Sequence, residues 1–580
     1  MNHLNLRTLA GFTGLGLAAL VSLASCGRGA PPPVAATPAA APTCPGDNGG
    51  LSLAPGFCAT IFADNLGHTR HMTISPEGVV YVNTWSGQYF GFDTPPAGGF
   101  LVALQDKDGD GKADMIERFG AGVPQKATGG TGIALFNGAV YAEQNDYILK
   151  FALTPGNPVP QGDPVKVITG LPQAGDHMMH PFVIDAQGKL FINSGSASNA
   201  CESPARQPGA KGQKPCKELA TRAGIWRYDA NAVGQKFSPK ERYITGLRNS
   251  GGQSFDATGR LYAVQHGRDQ LPDGWPKLYA PEAGRELPAE VLVEVKEGAD
   301  YGWPTCYYDG GLKTLVLAPE YGGDGKTVGP CADKSGPVAA FPAHWAPNDV
   351  LIYSGKQFPD SWHGGAFIAF HGSWNRAPGP QGGYNVVYQP LADGKASGNY
   401  VVFADGFAGV EKAPGRADHR PAGLAVGPDG ALYISDDMKG RIWRVTHLGT
   451  GSSTVVAAAP AAVPAANPKS TVLADLVPPP GSSAEQLAHG DSVYHGRISG
   501  GNCMGCHGSD GRGTMVGPDL TDATWLWGKG DVAGIHATIV KGVAAPKASI
   551  GGMPPLGGAP LQPADVDAVA AYVWAISHRK

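Results

Sequence analysis

Charge is scarce in this chain: only 16 % of its 580 residues are Asp, Glu, Lys or Arg. Forty-five basic residues against 49 acidic ones leave a net charge of −4. There is no basic footprint for nucleic acid and no field that would steer a polyanionic partner, which leaves small molecules and proteins as partners. Residues 44–448 contain neither a glycine-rich fingerprint opening a βαβ unit nor a P-loop, which disfavours nicotinamide and nucleotide chemistry. Long apolar runs are missing apart from Leu9 to Leu23, itself too short for a comfortable membrane span. Turn formers are abundant, with 85 Gly and 50 Pro, too many for a mainly helical chain. The length and composition predict two or three domains, one of them a large β domain.

The single apolar run follows Arg7 and ends in Leu23-Ala24-Ser25-Cys26, and reads as an export signal. Its end resembles a bacterial lipobox, which implies cleavage before Cys26 and a diacylglycerol on that sulfur. The expectation is an exported periplasmic or cell-envelope lipoprotein, anchored at a membrane surface through Cys26. Residues 26–43, almost all Ala and Pro, would be the tether. A second stretch of this kind at 449–480 separates a body at 44–448 from a small domain at 481–580.

Within that small domain stands Cys503-Met504-Gly505-Cys506-His507. Two thiols two residues apart, with a histidine directly after the second, can add to the vinyl groups of a haem while the imidazole takes an axial position on its iron. A zinc knuckle would want two further ligands nearby, and a redox Cys-x-x-Cys has no use for His507. Cys26, Cys503 and Cys506 leave six of the nine cysteines, which fall into sequence-local pairs: 44 with 58, 201 with 216, 306 with 331. Six thiols allow fifteen connectivities; in an oxidising compartment the local pairing is the simplest.

The body repeats one unit, an apolar strand, a Gly-containing turn and a second strand rich in β-branched and aromatic residues. It occurs at Thr73–Val82, Ile133–Ala142, Phe182–Ile192, Ser254–Ala263 and Leu424–Ile434, with a degenerate copy at Trp362–Ala369. Six hairpins over about 400 residues predict a mainly β fold, a six-bladed β-propeller, with a β-sandwich or double jelly roll as the alternative. Between the first two units, Asp106, Asp108, Asp110, Lys112, Asp114 and Glu117 fall at the ligand spacing of a calcium loop, with Gly111 at the sharp turn. An acidic solvated turn is the other reading of this stretch.

In the last hundred residues, helical patterns at 484–497 and 563–576 flank the haem motif. This arrangement resembles a small, all-α class I cytochrome c. By that resemblance Met553, in Gly551-Gly-Met553-Pro-Pro, is the sixth iron ligand opposite His507, with Met515 the competitor.

The body also carries His, Arg and Asn residues beside Gly turns, in Asp176-His177, Arg248-Asn249, Gln265-His266-Gly267-Arg268-Asp269, His371-Gly-Ser-Trp374-Asn375-Arg376 and His419-Arg420. In a propeller such residues converge on the central channel, and several cations in one cavity suit a ligand with several carboxylates. Gly246-Leu-Arg-Asn249, Tyr301-Gly-Trp-Pro304, His371–Arg376 and Arg420-Pro-Ala-Gly-Leu-Ala425 occur in the order found in the PQQ-dependent soluble aldose and sorbosone dehydrogenases, a family the body resembles from Leu53 to Val445. The resemblance implies His177 as catalytic base, Asp269 as its orienter, and Arg248 with Asn249 on the quinone. It also implies His266, His371, Arg376 and Arg420 around PQQ, and the carbonyls of Gly267 and Arg268 on a calcium ion. His266 stands where the glucose enzymes carry an amide, which points toward the sorbosone branch. The expected activity is oxidation of a sugar, or another alcohol or aldehyde, at PQQ, with electrons leaving through haem c to an external cytochrome, copper protein or quinone pool. The alternatives are a ligand-binding or lactonase-type propeller that tethers a cytochrome.

Overall fold

The computed structural model describes residues 44–449 apart from 45, 86, 88–95, 123–127, 377–379 and 414–415. It also describes 476–578 apart from 497, 500–502, 508–510, 512, 514–516, 545–546, 548–552 and 560, with 455–456 and 473 in between. The expected signal and tether at 1–43, Cys26 and the competing ligand Met515 lie outside the described residues. No helix among the described residues is long and apolar enough to cross a membrane.

The repeated units fold as antiparallel hairpins. The clearest turn is Asn137-Gly138, whose φ angles of 46° and 69° are the two positive values a two-residue hairpin loop demands. Each hairpin seeds one of six sheets, and the strand nearest the centre is the first of each unit: Met72–Ile74, Ile133–Phe136, Phe182–Ile184, Gln253–Phe255, Pro347–Ile352 and Pro421–Val426. These six strands touch in sequence order, and the last touches the first, which closes the ring of a six-bladed propeller. The sixth blade borrows Phe57–Ala63 from the start of the chain, paired with Ile442–His447, so the two ends of the domain hold each other. One hydrophobic cluster fills each of the six gaps between neighbouring blades. Burial of that apolar surface is the main force holding the ring shut.

The fifth blade differs from the sequence reading. Its hairpin pairs Pro347–Ile352 with Ala366–Phe370 across a long loop, and Trp362 is a buried wedge in that loop rather than part of the first strand. The three expected disulfides are present: Cys44–Cys58, Cys201–Cys216 and Cys306–Cys331. In the acidic loop Asp106, Asp108 and Asp114 converge, while Glu117 lies on an exposed position of the strand Met115–Phe119. The carboxylates also accept from the loop's own amides, Asp106 from Gly109 and Gly111 at 2.7 and 2.9 Å and Asp110 from Lys112 at 2.8 Å.

The C-terminal domain is helical. Its first helix, Ala484–Tyr494, is capped by Ser483, whose hydroxyl accepts from the Gln486 amide. The last helix, Pro563–Ser577, opens with a capping box formed by Gln562 and Asp565. The two cross so closely at Gly490 that a Cβ there would sit 2.1 Å from the Ala568 carbonyl oxygen. Leu487, Val493, Tyr494, Val569 and Tyr572 form the core between them.

Candidate functional site

An antiparallel hairpin brings the start of its first strand and the end of its second to the same edge. Six hairpins around a ring therefore deliver twelve such segments to one face, and the polar sequence clusters are these segments. His177, Arg248, His344 and Arg420 precede first strands; Ser196, Asp269, His371 and Asp437 follow or end second strands.

Arg248 is the centre of one network. Its guanidinium donates to the Asn199 carbonyl at 3.0 Å, to Asn199 Oδ1 at 3.1 Å, to the Gly267 carbonyl at 2.7 Å and to Asp269 Oδ2 at 3.0 Å. Asp269 also accepts from Asn375 Nδ2 at 2.8 Å and pairs with Arg206 at 3.4 Å. Burial alone would raise Asp269, but Arg248 and Arg206 hold it below the usual carboxylate range. His177 Nδ1 lies 2.9 Å from the Ser196 carbonyl and 3.1 Å from its hydroxyl. A carbonyl only accepts, so Nδ1 carries the proton and Nε2 presents its lone pair. Burial, reinforced by the nearby Arg248 charge, pushes His177 well below the usual imidazole range and keeps the ring neutral.

A second network lies across the face. His371 Nε2 meets Asp437 at 2.8 Å, Arg70 pairs with the same carboxylate, and Arg420 donates to the carbonyls of His371 and Gly372 at 2.9 and 2.8 Å. Arg376 likewise spends its guanidinium on main chain, donating to the carbonyls of Arg285 and Ala343. The charges of Arg420 and Arg376 thus face carbonyl dipoles rather than a bonded carboxylate, the condition for receiving an anionic ligand. A polycarboxylate quinone fits this donor set.

The helical domain holds the other site. Cys503, Cys506, His507 and Met553 line one cavity, with Trp525, Ile535 and Val569 among its apolar walls. His507 Nδ1 hydrogen-bonds to the Pro518 carbonyl at 2.9 Å, which leaves Nε2 for a metal. Met553 is held by reciprocal backbone bonds with Val543, 2.9 and 2.7 Å long. Thiols, imidazole and thioether in one apolar cavity fit a covalently bound haem.

Three propeller residues, Gln270, Asp273 and Trp374, belong to the wall of this same cavity. Gln270 follows Asp269 and Trp374 precedes Asn375, so residues adjacent in the chain line the cavity and join the propeller network, and the two sites share a partition. Arg206 lies in it, bonded to Asp176, Asp269 and Gln270 and near enough to Cys506 for each to affect the other's ionisation. At the edge of the contact Arg416 reaches Asp491 Oδ1 at 2.8 Å, Asp491 also pairs with His495 at 3.0 Å, and Ala413 packs into the helical core.

Residues 51–448 match the TrAA12-like family, and 485–573 match the cytochrome c oxidase, cbb3-type, subunit III family. The chain belongs to the TrAA12-like family. A calcium structure of Trichoderma reesei Carbohydrate-Active Enzymes Family AA12 superposes with a TM-score of 0.55 and 19 % identity, covering 69 % of this chain and 97 % of that one. The holo PQQ domain of Coprinopsis cinerea pyranose dehydrogenase gives 0.52 and 19 %, covering 68 % and 97 %. In sequence, a PQQ-dependent pyranose dehydrogenase of Coprinopsis cinerea is 26 % identical over 239 residues, 35 % of this chain and 31 % of that protein. A CcoP subunit of Rubrivivax gelatinosus is 40 % identical over 81 residues, 14 % of this chain and 24 % of that protein. An uncharacterised Borreliella burgdorferi protein matches at 28 % over 227 residues, 37 % of this chain and about half, 51 %, of that protein.

Within this TrAA12-like chain several residues are placed differently from the sequence expectation. The hydrogen bond on His177 Nδ1 assigned to Asp269 is made by Ser196, because the Asp269 carboxylate is occupied by Arg248, Arg206 and Asn375. The Gly267 carbonyl, expected on calcium, accepts from Arg248 at 2.7 Å with one of its two lone pairs. His371 is held by Asp437, and His266 Nε2 by the Pro347 carbonyl at 3.0 Å. Asn249 Oδ1 accepts from Asn193 at 3.2 Å beside His177. Sequence reasoning missed Ser196, Arg206, Asp437 and Arg70. The available signal was position: Asp437 and Arg70 flank strand ends just as His371 and Arg420 do.

Proposed function

We propose that the chain is an exported quinohaemoprotein dehydrogenase that oxidises a sugar, or another alcohol or aldehyde, and passes the electrons to an external one-electron acceptor. The observation that carries this reading is the shared partition: a base and a set of arginines lie on one side, and the haem-attachment residues on the other. PQQ held among Arg248, Asn249, Arg376 and Arg420 would supply two-electron oxidation, and haem on Cys503, Cys506, His507 and Met553 one-electron transfer.

His177, neutral and fixed by Ser196, takes the proton of a substrate hydroxyl at Nε2. Arg248, aimed by Asn199 and Asp269, places positive charge where negative charge develops during oxidation. Arg420 and Arg376 supply charge for carboxylates. Calcium on the Gly267 and Arg268 carbonyls would add positive charge beside Arg248. The lipobox-like Leu23–Cys26 motivates a lipid anchor on Cys26 and a cell-envelope location.

The test is to load the full chain with PQQ and Ca²⁺, titrate with aldoses and alcohols, and follow the haem band. Reduction of the haem is expected, and His177→Ala should slow it about 10²- to 10⁴-fold with an unchanged haem spectrum. If no sugar or alcohol reduces the haem of the loaded wild type, the reading fails.

A further inference from the structure

The partition between the two sites is made of few side chains, and they differ in what they offer an electron. Gln270 is a saturated amide and Asp273 a carboxyl that burial pushes up to about 7. Trp374 alone of the three propeller residues brings an extended π system into the cavity that holds His507 and Met553. We propose that Trp374 is the propeller's contact with the haem and the aromatic step between the two redox sites. The proposal rests on the dehydrogenase reading and adds the route.

Two features of the chain place this indole. First, the path back to the propeller centre is short. The next residue, Asn375, donates to Asp269 Oδ1 at 2.8 Å, and Asp269 accepts from Arg248 at 3.0 Å on its other oxygen. One peptide unit, one hydrogen bond and one ion pair therefore separate the haem cavity from the guanidinium proposed to touch the quinone. Second, the segment that carries Trp374 is pinned on its N-terminal side. His371 is bound to Asp437 at 2.8 Å, the Ser373 carbonyl accepts from Tyr384 Oη at 2.8 Å, and the Ser373 hydroxyl accepts from the Gly382 amide at 2.8 Å. The Tyr384 ring packs against Gly372, where a Cβ would sit 2.3 Å from it, so no other residue fits there. A side chain that merely filled an apolar lid would not need a backbone fixed to this degree.

Each transfer moves one electron from the reduced quinone to a ferric haem, which becomes ferrous. The accompanying proton goes to solvent, no bond in the protein is made or broken, and an external one-electron oxidant resets the iron. Trp374 changes the coupling between the sites and leaves the chemistry at His177 alone.

The experiment uses the full chain with haem, with and without PQQ. Trp374→Leu keeps an apolar side chain and removes the ring; Trp374→Phe keeps a ring. In the PQQ-free chain the Soret circular dichroism is expected to change in Trp374→Leu, because an aromatic transition beside the haem is lost, while the absorption spectrum stays the same. In the loaded chain, haem reduction after rapid mixing with sugar is expected to be about tenfold slower in Trp374→Leu and to recover most of its rate in Trp374→Phe. Reduction of a soluble dye taking electrons directly from the propeller should proceed at the wild-type rate in both. An unchanged Soret signal, or an unchanged rate of haem reduction, overturns the proposal; if Trp374→Leu does not fold, the same two readings on Trp374→Met, which also lacks a ring, decide. Failure of the dehydrogenase reading looks different, since then the wild type itself never reduces its haem with any substrate.

Discussion

Around Arg248 almost every polar group has a protein partner: Asn199, Gly267 and Asp269 take the guanidinium, and Arg206 and Asn375 share the same carboxylate. Around His507 and Met553 the opposite holds, because Trp525, Ile535 and Val569 wall a cavity whose chemistry comes from two thiols, an imidazole and a thioether. A saturated polar network is folded before its ligand arrives and can exchange partners with it. An apolar cavity of prosthetic-group shape has nothing to put in the space, and its lining loses contacts until the group is bound. A quinone would thus be a guest of the propeller, whereas a haem would be part of the core of its own domain.

The largest effect that could break this contrast is removal of both thiols. Replacing Cys503 and Cys506 by Ser should abolish covalent haem, read as complete loss of haem staining on a denaturing gel. The C-terminal domain should then lose its cooperative unfolding while the propeller transition remains. A helical domain that unfolds with unchanged midpoint in that variant would show that the haem is a guest too.

Acid provides the next test, aimed at the propeller. Burial pushes His266, His344 and His371 down to about 4, and His177 lower than its usual range as well. Between about pH 6.5 and 4 the unfolded chain binds protons at these rings and the folded one does not, so stability is present above the unfolded value and falls as pH drops. Each such histidine contributes a slope of about 1.4 kcal/mol per pH unit in that window. Glu290 and Asp273, which burial pushes up to about 8 and 7, gain protons in the folded chain over the same range and offset part of that slope. With four such histidines against these two carboxyls, the denaturant midpoint of the propeller should fall between pH 6 and 5; a rise over that interval would mean that the rings are protonated in the folded state.

Smaller again is the tie between the regions. Arg416 is mostly buried, and Asp491 and His495 are almost fully so. Arg416→Ala leaves Asp491 with His495 as its partner and should cost about 3 kcal/mol, the lower end for breaking a buried pair. The measurement is the unfolding of the haem domain, together with cleavage of the 449–475 stretch by a dilute protease. Unchanged stability and unchanged cleavage would mean that the docking rests on the apolar contact at Ala413 and the cavity wall alone.

The contrast also explains what could be read in advance. Cys503–His507 is a local signal, since a haem needs its thiols two residues apart and its imidazole next to them, whereas Met553 came from the resemblance to class I cytochromes c, and the structure gathers them into one cavity. The hairpins were local as well, each carrying its own turn, except in the fifth blade, where a long loop broke the period. The polar network is non-local. Arg206, Arg248, Asp269 and Asn375 meet from four segments, and nothing in the neighbourhood of Asp269 says that Arg248 rather than His177 will hold it. A short carboxylate goes to the strongest donors within reach, which a list of residues does not contain. The docking of the helical domain was out of reach for the same reason, because Ala413 and Arg416 look like ordinary loop residues until the helix Ala484–Tyr494 lies against them.

The acidic loop sharpens the contrast at its weakest point, since it is a third way of satisfying polar groups. Asp106, Asp108 and Asp114 converge at the spacing of a metal loop, yet Asp106 already accepts from two amides and Asp114 from the Lys107 amide at 2.7 Å. If those bonds are the loop's whole stabilisation, Asp106→Ala removes two of them at an exposed site and costs about 1 kcal/mol, with or without a chelator. If a divalent cation organises the loop, the wild type loses stability on chelation and Asp106→Ala does not, because linkage to the ion is gone. Thermal unfolding of both proteins in Ca²⁺ and in chelator separates the two.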